Sequence, residues 1–226
     1  MSLGLNKTKR RIASVKSTKK ITKAMELIAT VKLKKFKNVM IGNSFYSEEI
    51  LRLINLIFSN VSELNNEYSA EVNSSKDLYV VITSDLGLCA GYNNNIYKYV
   101  DEVIKEDDEL FVIGQKGESH FKNENRPFSS LTNYFINGIN DKSITMFSNY
   151  LCDLYKSKSY RSINIIYTHY QNSITFIPSS FKLFPIQKNE IDNGDFSPLF
   201  EPDLSTLIDT LIPIYINSLV YQKLLE

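Results

Sequence analysis

Tryptophan is absent, and only two cysteines and two histidines are spread over the 226 residues. Cys89 and Cys152 form no spaced cluster, which argues against a zinc or disulfide framework and fits a reducing cytoplasm. No apolar run approaches the roughly 20 residues of a membrane span. The basic start also lacks the apolar stretch of a signal peptide, so the sequence predicts a soluble or peripheral protein. Tyr and Phe make up 12% of the chain, but they are not interleaved with bases as a platform for single-stranded nucleic acid would require. Proline and glycine are scarce and unevenly placed. Between Leu5 and Leu64 there is no proline and a single glycine, Gly42.

Charge fills that stretch. Met1 to Met40 carries twelve Lys and Arg and one acid, Glu26, a net +11, while the whole chain is only +1. Residues 41–226 therefore hold 14 bases against 24 acids, and a cationic arm is attached to an acidic body. Such blocks mark interaction arms, with nucleic acid, anionic lipid or an acidic protein surface as the partner. Ile21, Met25, Ala29, Leu33, Phe36 and Met40 recur at steps of three or four, which predicts one apolar face of a helix with lysines around the rest. The face broadens beyond Gly42 through Phe45, Ile50, Leu51, Ile54 and Ile57. At 1.5 Å per residue, roughly 55 residues make a rod of about 80 Å, far longer than an ordinary globular helix.

A polar linker, Glu63 to Asp77, precedes a change of pattern. Leu78–Thr83 (LYVVIT), Leu110–Ile113 and Ser162–Thr168 read as buried strands, with helices expected over Asn95–Lys105, after Gly114, and from about Ser143 to Ser157. Alternation of this kind predicts an α/β layer with a mostly parallel sheet. Ser173–Ile186 reads as one or two further strands, put at an edge by Pro178 and Pro185. The acids Glu106 to Glu109 read as a solvated turn. After a second linker, Glu190 to Pro202, Asp203 can cap a last helix striped by Leu204, Leu207, Ile208, Leu211, Tyr215, Leu219 and Leu224, which Pro213 should kink. Packing the two terminal helices as an antiparallel pair covers both stripes. The fold class expected is thus α/β: a long antiparallel coiled coil of the N- and C-terminal helices plus a Rossmann-like foot domain. The corresponding segments are 1–62, 76–189 and 203–226. Among small motifs, Gly87-Leu-Cys-Ala-Gly91 lacks a phosphate-binding pattern. Cys89 reads as a structural thiol, with neither His120 nor His169 tied to it.

Four blocks, Ile12–Val31 (IASVKSTKKITKAMELIATV), Ser84–Asn95 (SDLGLCAGYNNN), Ile113–Phe121 (IGQKGESHF) and Leu199–Glu226, resemble the gamma subunit of F-type rotary ATP synthases in the family's order and spacing. The resemblance implies a central shaft inside a hexamer of alternating catalytic and non-catalytic subunits, with the α/β domain as a foot and no catalytic residue, cofactor or metal of its own. It implies contacts with the levers of the catalytic subunits, acidic in the family, through Lys19, Lys20, Ile21, Lys23, Met25 and Glu26. It also implies contacts through the foot loop at Asp85, Gly87, Cys89 and Gly91. An epsilon-like subunit and a membrane ring are implied at the foot, and a cytoplasmic place on the inner face of the cell membrane without insertion into it.

Leu86 stands where the family usually has Arg or Lys, and Ala90 where it usually has Gly. The family's C-terminal helix normally continues beyond the point matching Glu226; the roughly 24 residues from Asp203 give about 36 Å. That length predicts cover for the first helix back to about residues 25–35, leaving Leu5 to Lys20 without an intrachain partner. Two other readings remain open at this point: a shaft for an F-like ATPase working as a motor uncoupled from an ion ring, and a basic-helix nucleic-acid-binding module, whose affinity would fall steeply with salt.

Overall fold

A computed structural model describes residues 2–59, 67–172, 174–187, 201 and 204–226. Residues 63–66 of the first expected linker, most of the second, and the Asp203 cap lie outside them. The elements are α1 (Ser2–Ser59), β1 (Asp77–Ile82), α2 (Tyr92–Val103), β2 (Glu109–Ile113), α3 (Gln115–Asn123), β3 (Ser129–Ser130), a 3-10 turn (Thr132–Phe135), α4 (Asp141–Lys156), β4 (Ser162–Tyr170), β5 (Phe176–Phe184) and α5 (Leu204–Leu225). The chain forms two compact units, Met1–Gly42 and Asn43–Glu226.

The first unit is helix alone. Every residue from 4 to 38 is exposed, apolar ones included. With no core to bury the stripe, the helix rests on the lack of breakers and on residues of good helix propensity, and its threonine hydroxyls find partners in preceding carbonyls, Thr22 in Thr18 at 3.1 Å and Thr30 in Glu26 at 2.8 Å.

The second unit is built on a five-stranded sheet ordered β3-β2-β1-β4-β5. The first four strands are parallel, and β5 runs antiparallel along β4 at the edge. Alternate side chains feed two cores. Leu78, Val80, Ile82, Phe111, Ile113, Ile163 and Ile165 face one layer, which contains Ile50, Ile54 and Ile57 of α1, Phe147 and Leu151 of α4, and Ile208, Ile212 and Ile216 of α5. Val81, Val112 and Ile166 face the other, with Ile96 and Val100 of α2 and Phe121 of α3. Cover on both faces explains why these strands are nearly continuous β-branched runs. The α4 helix starts at Asp141 because Asn140 and Ser143 form a reciprocal capping box. The acidic turn is closed by Asp108, whose carboxylate accepts from the Asp77 and Lys105 amides, both at 3.0 Å. Two elements were not expected from sequence, the two-residue β3 and the 3-10 turn that follows it.

The pairing of α5 with α1 differs in extent from expectation. Cover back to residues 25–35 is not found: residues 4–38 are all exposed, and Val39 is the first described residue of α1 beyond them that is not. Asn43 and Ser47 meet Ser218, with Asn43 Nδ2 donating to the Ser218 carbonyl (2.9 Å), Ser218 Oγ donating to Asn43 Oδ1 (3.1 Å), and the two serine hydroxyls 2.5 Å apart. The last turn of α5 then engages the sheet. Lys223 donates to the Tyr167 hydroxyl (3.0 Å) and to Glu226 (2.9 Å), and Glu226 also meets His169 Nδ1 at 2.6 Å. Helix α5 continues on both sides of Pro213. It is buried on the faces toward α4, β4 and α1 together, so it belongs to the core of this unit as much as to any pair with α1.

Candidate functional surfaces

Two surfaces hold the residues expected to act. On the first unit, Lys19, Lys20, Ile21, Lys23, Met25 and Glu26 lie along exposed helix; Ile21 is 59% and Met25 46% accessible. Among the described residues no ion pair engages any base from Lys7 to Lys35. The cationic charge of this stretch is therefore neutralised by nothing within the described chain, and the apolar stripe remains available between lysines.

The second surface is the loop from β1 to α2. Its polar side chains bond to the flanking helices, Asp85 while remaining exposed. The Asp85 carboxylate accepts from the Gln115 amide at 3.1 Å and so caps α3, while the Ser84 carbonyl accepts from the next amide, Lys116, at 3.0 Å. Asn93 binds the loop from the other side: Oδ1 accepts from the Ser84 amide (3.1 Å), and Nδ2 donates to Ser84 Oγ (2.7 Å) and to Cys89 Sγ (3.2 Å). Cys89 is thus half-buried and engaged by an amide and a hydroxyl, with no histidine among its partners. The other thiol, Cys152, is buried, and burial pushes its pKa up to about 12. What points outward is apolar: Leu86 is 72% and Leu88 95% accessible. Leu88 and Ala90 have positive φ, 64° and 51°. Gly87 and Gly91 lie between these residues, Gly87 under the Lys116 stem and Gly91 as the N-cap of α2.

The IGQKGES block explains itself in the same region. Gly114 takes φ 107°, and a Cβ there would stand 2.3 Å from the Thr83 carbonyl; one on Gly117 would stand 2.6 Å from Thr83 Oγ1 and 2.8 Å from Val112. Both glycines let α3 close onto the ends of β1 and β2, where Thr83 Oγ1 accepts from the Gly117 amide (3.0 Å) and donates to the Ile113 carbonyl (2.9 Å). Sequence reasoning did not single out Leu88, since nothing in spacing distinguishes an apolar side chain held outward from one turned in. The two histidines are occupied elsewhere: His120 stacks on Tyr97 with centroids 3.6 Å apart, and His169 meets Glu226. Among the described residues no group of three acids, histidines or cysteines is placed to hold a metal. No described helix is long and apolar enough to cross a membrane.

A long basic helix is joined to a three-layer α/β unit. The fold matches the central stalk of the Tetrahymena thermophila mitochondrial ATP synthase with a TM-score of 0.64 over 91% of each chain, at 21% identity. Residues 4–226 match the sequence model of a family described as ATP synthase. The ATP synthase gamma chain of Mycoplasma mobile is 37% identical over 229 residues, 98% of this chain and 80% of the relative. That of Mycoplasma mycoides subsp. mycoides is 36% identical over 220 residues, 96% and 78% of the two chains. The chain belongs to this family, the gamma chains of F-type ATP synthases, which are central-stalk rotor subunits.

Proposed function

We propose that residues 1–62 turn as a shaft within a ring of catalytic and non-catalytic ATPase subunits and that this chain supplies no catalytic group itself. Residues 76–189 form the foot, and 203–226 brace it. Nucleotide affinity at each catalytic site then depends on the angle of the shaft, so hydrolysis or synthesis in the ring is coupled to rotation as a free-energy coupling between sites. The observation that carries this reading is the uninterrupted exposure of residues 4–38 together with their uncompensated positive charge. A helix bearing an apolar stripe costs free energy in water unless something covers it, and acidic levers around a cationic spindle supply both cover and charge. Lys19, Lys20 and Lys23 meet that charge, while Ile21 and the flexible Met25 form an apolar bearing beside Glu26.

Asp85, Gly87, Cys89 and Gly91 shape a second contact on the foot. The hydrogen bonds of Asp85 and Cys89 to the flanking helices favour a role in holding the loop, with Leu86 and Leu88 as the surface a partner touches. An epsilon-like subunit and a membrane ring attach at the foot, and the complex is peripheral to the inner face of the cell membrane. The test is Met25→Asp in the assembled complex. ATP turnover should fall roughly tenfold, about 1.4 kcal/mol of lost coupling, while circular dichroism of the isolated subunit stays unchanged because Met25 is exposed. Unchanged turnover would remove the bearing role.

A further inference from the structure

A cavity of about 620 Å³ opens at the carboxyl ends of β1, β2 and β3, the position at which open α/β sheets take ligands. Asp85 and Glu118 line it, and no Lys or Arg does so among the described residues. Each carboxylate uses one oxygen for structure. Asp85 Oδ1 accepts from the Gln115 amide; Glu118 Oε1 accepts from Ser130 Oγ at 2.5 Å and from Thr132 Oγ1. Asp85 Oδ2 and Glu118 Oε2 make no hydrogen bond or ion pair among the described residues. Apolar walls come from Phe135, Ile136 and Ile139, the last two exposed. A site with two unspent carboxylate oxygens, no internal cation and an apolar wall complements one chemistry above others. A guanidinium presents five donors in a planar fork, is more weakly hydrated than an ammonium, and stacks on apolar and aromatic surfaces.

The geometry points to this cavity as a docking site for an arginine side chain of a protein partner, carried in a segment with apolar residues beside it. The volume exceeds that of one side chain, so the apolar flanks enter with the arginine and pack on Ile136 and Ile139. This goes beyond the shaft reading, since the cavity lies within the second unit and requires only that a partner reach the foot.

The experiment places a photo-crosslinking benzoylphenylalanine at Ile136 of the full chain in the assembled complex and sequences the segment captured. The expected product carries an arginine within a few residues of the crosslink. Glu118→Gln keeps a carbonyl oxygen to accept from the Ser130 and Thr132 hydroxyls but removes the charge, and should lower the yield about fivefold, an effect that shrinks at high salt. Gln115→Glu, on the cavity rim and favourable at the start of α3, should raise the yield. A captured segment without arginine, a product confined to this chain, or yields indifferent to both charge changes would each overturn the proposal. Failure of the shaft reading shows differently, as a chain that does not co-assemble with an ATPase ring at all.

Discussion

Gly117 lies where a methyl group has no room: its Cβ would press on Thr83 Oγ1 and Val112 at once. Gly117→Ala should therefore destabilise the folded chain by about 2 kcal/mol in urea unfolding, the usual cost of forcing a packed interface apart. Ala90 presents the opposite case. It holds φ 51° without glycine's freedom. Ala90→Gly should raise stability by about 1 kcal/mol, read as a shift in the urea midpoint at constant slope. The strain is held in place by hydrogen bonds to two helices, from the Gln115 amide of α3 to Asp85 and from Asn93 of α2 to Cys89.

Among the elements, β1 and β4 are tied at their starting ends by Asp77, which accepts from Arg161 and from Ser162 Oγ at 2.8 Å. Burial acts to raise the Asp77 pKa, but the hydrogen bonds from Arg161 and Ser162 and the guanidinium charge outweigh it, and the net shift is downward from 3.8. A carboxyl depressed in the folded state adds stability that is full above its unfolded pKa and lost as pH falls through its folded one. Asp77→Asn should thus be less stable than the parent at neutral pH, with the gap narrowing below about pH 4. A constant gap from pH 7 to pH 2.5 in thermal unfolding would show that the charge contributes nothing.

Elements also mark how far the sequence could be read. LYVVIT announced β1 because a strand buried on both faces has no polar alternation to blur it. The α4 start moved only to Asp141, where the Asn140–Ser143 box is legible in retrospect. The two residues of β3 leave no period to detect. The full packing of α5 was hidden too: a stripe of leucines and isoleucines reports that a helix is buried, while its division among α1, α4 and β4 depends on contacts made far along the chain. The candidate surfaces divide in the same way. The basic stripe could be read from spacing alone, whereas the Asp85–Glu118 cavity joins residues 33 apart through the crossing from β1 to α3.

At the scale of the molecule, the separation of charge is the dominant fact. The first forty residues carry +11 and the remainder −10, so under the proposed shaft role, attraction to acidic partner surfaces should contribute to assembly. The double change Lys20→Glu and Lys23→Glu should lower ATP turnover and retention of the subunit at low salt. The deficit against the parent should narrow as ionic strength rises and the Debye length contracts to a few ångströms. A deficit independent of salt would assign these lysines a steric role.

The meeting of Asn43, Ser47 and Ser218 acts as an indexing notch. Sliding α5 by one residue along α1 would leave the buried Ser47 and Ser218 hydroxyls without each other, at about 1–3 kcal/mol each, and break both bonds of the half-buried Asn43 amide. Leucines alone would tolerate several seatings of nearly equal energy; these three polar groups accept one. One seating of α5 against this part of α1 is thereby favoured over its neighbours, and the two helices are keyed to each other at a single register.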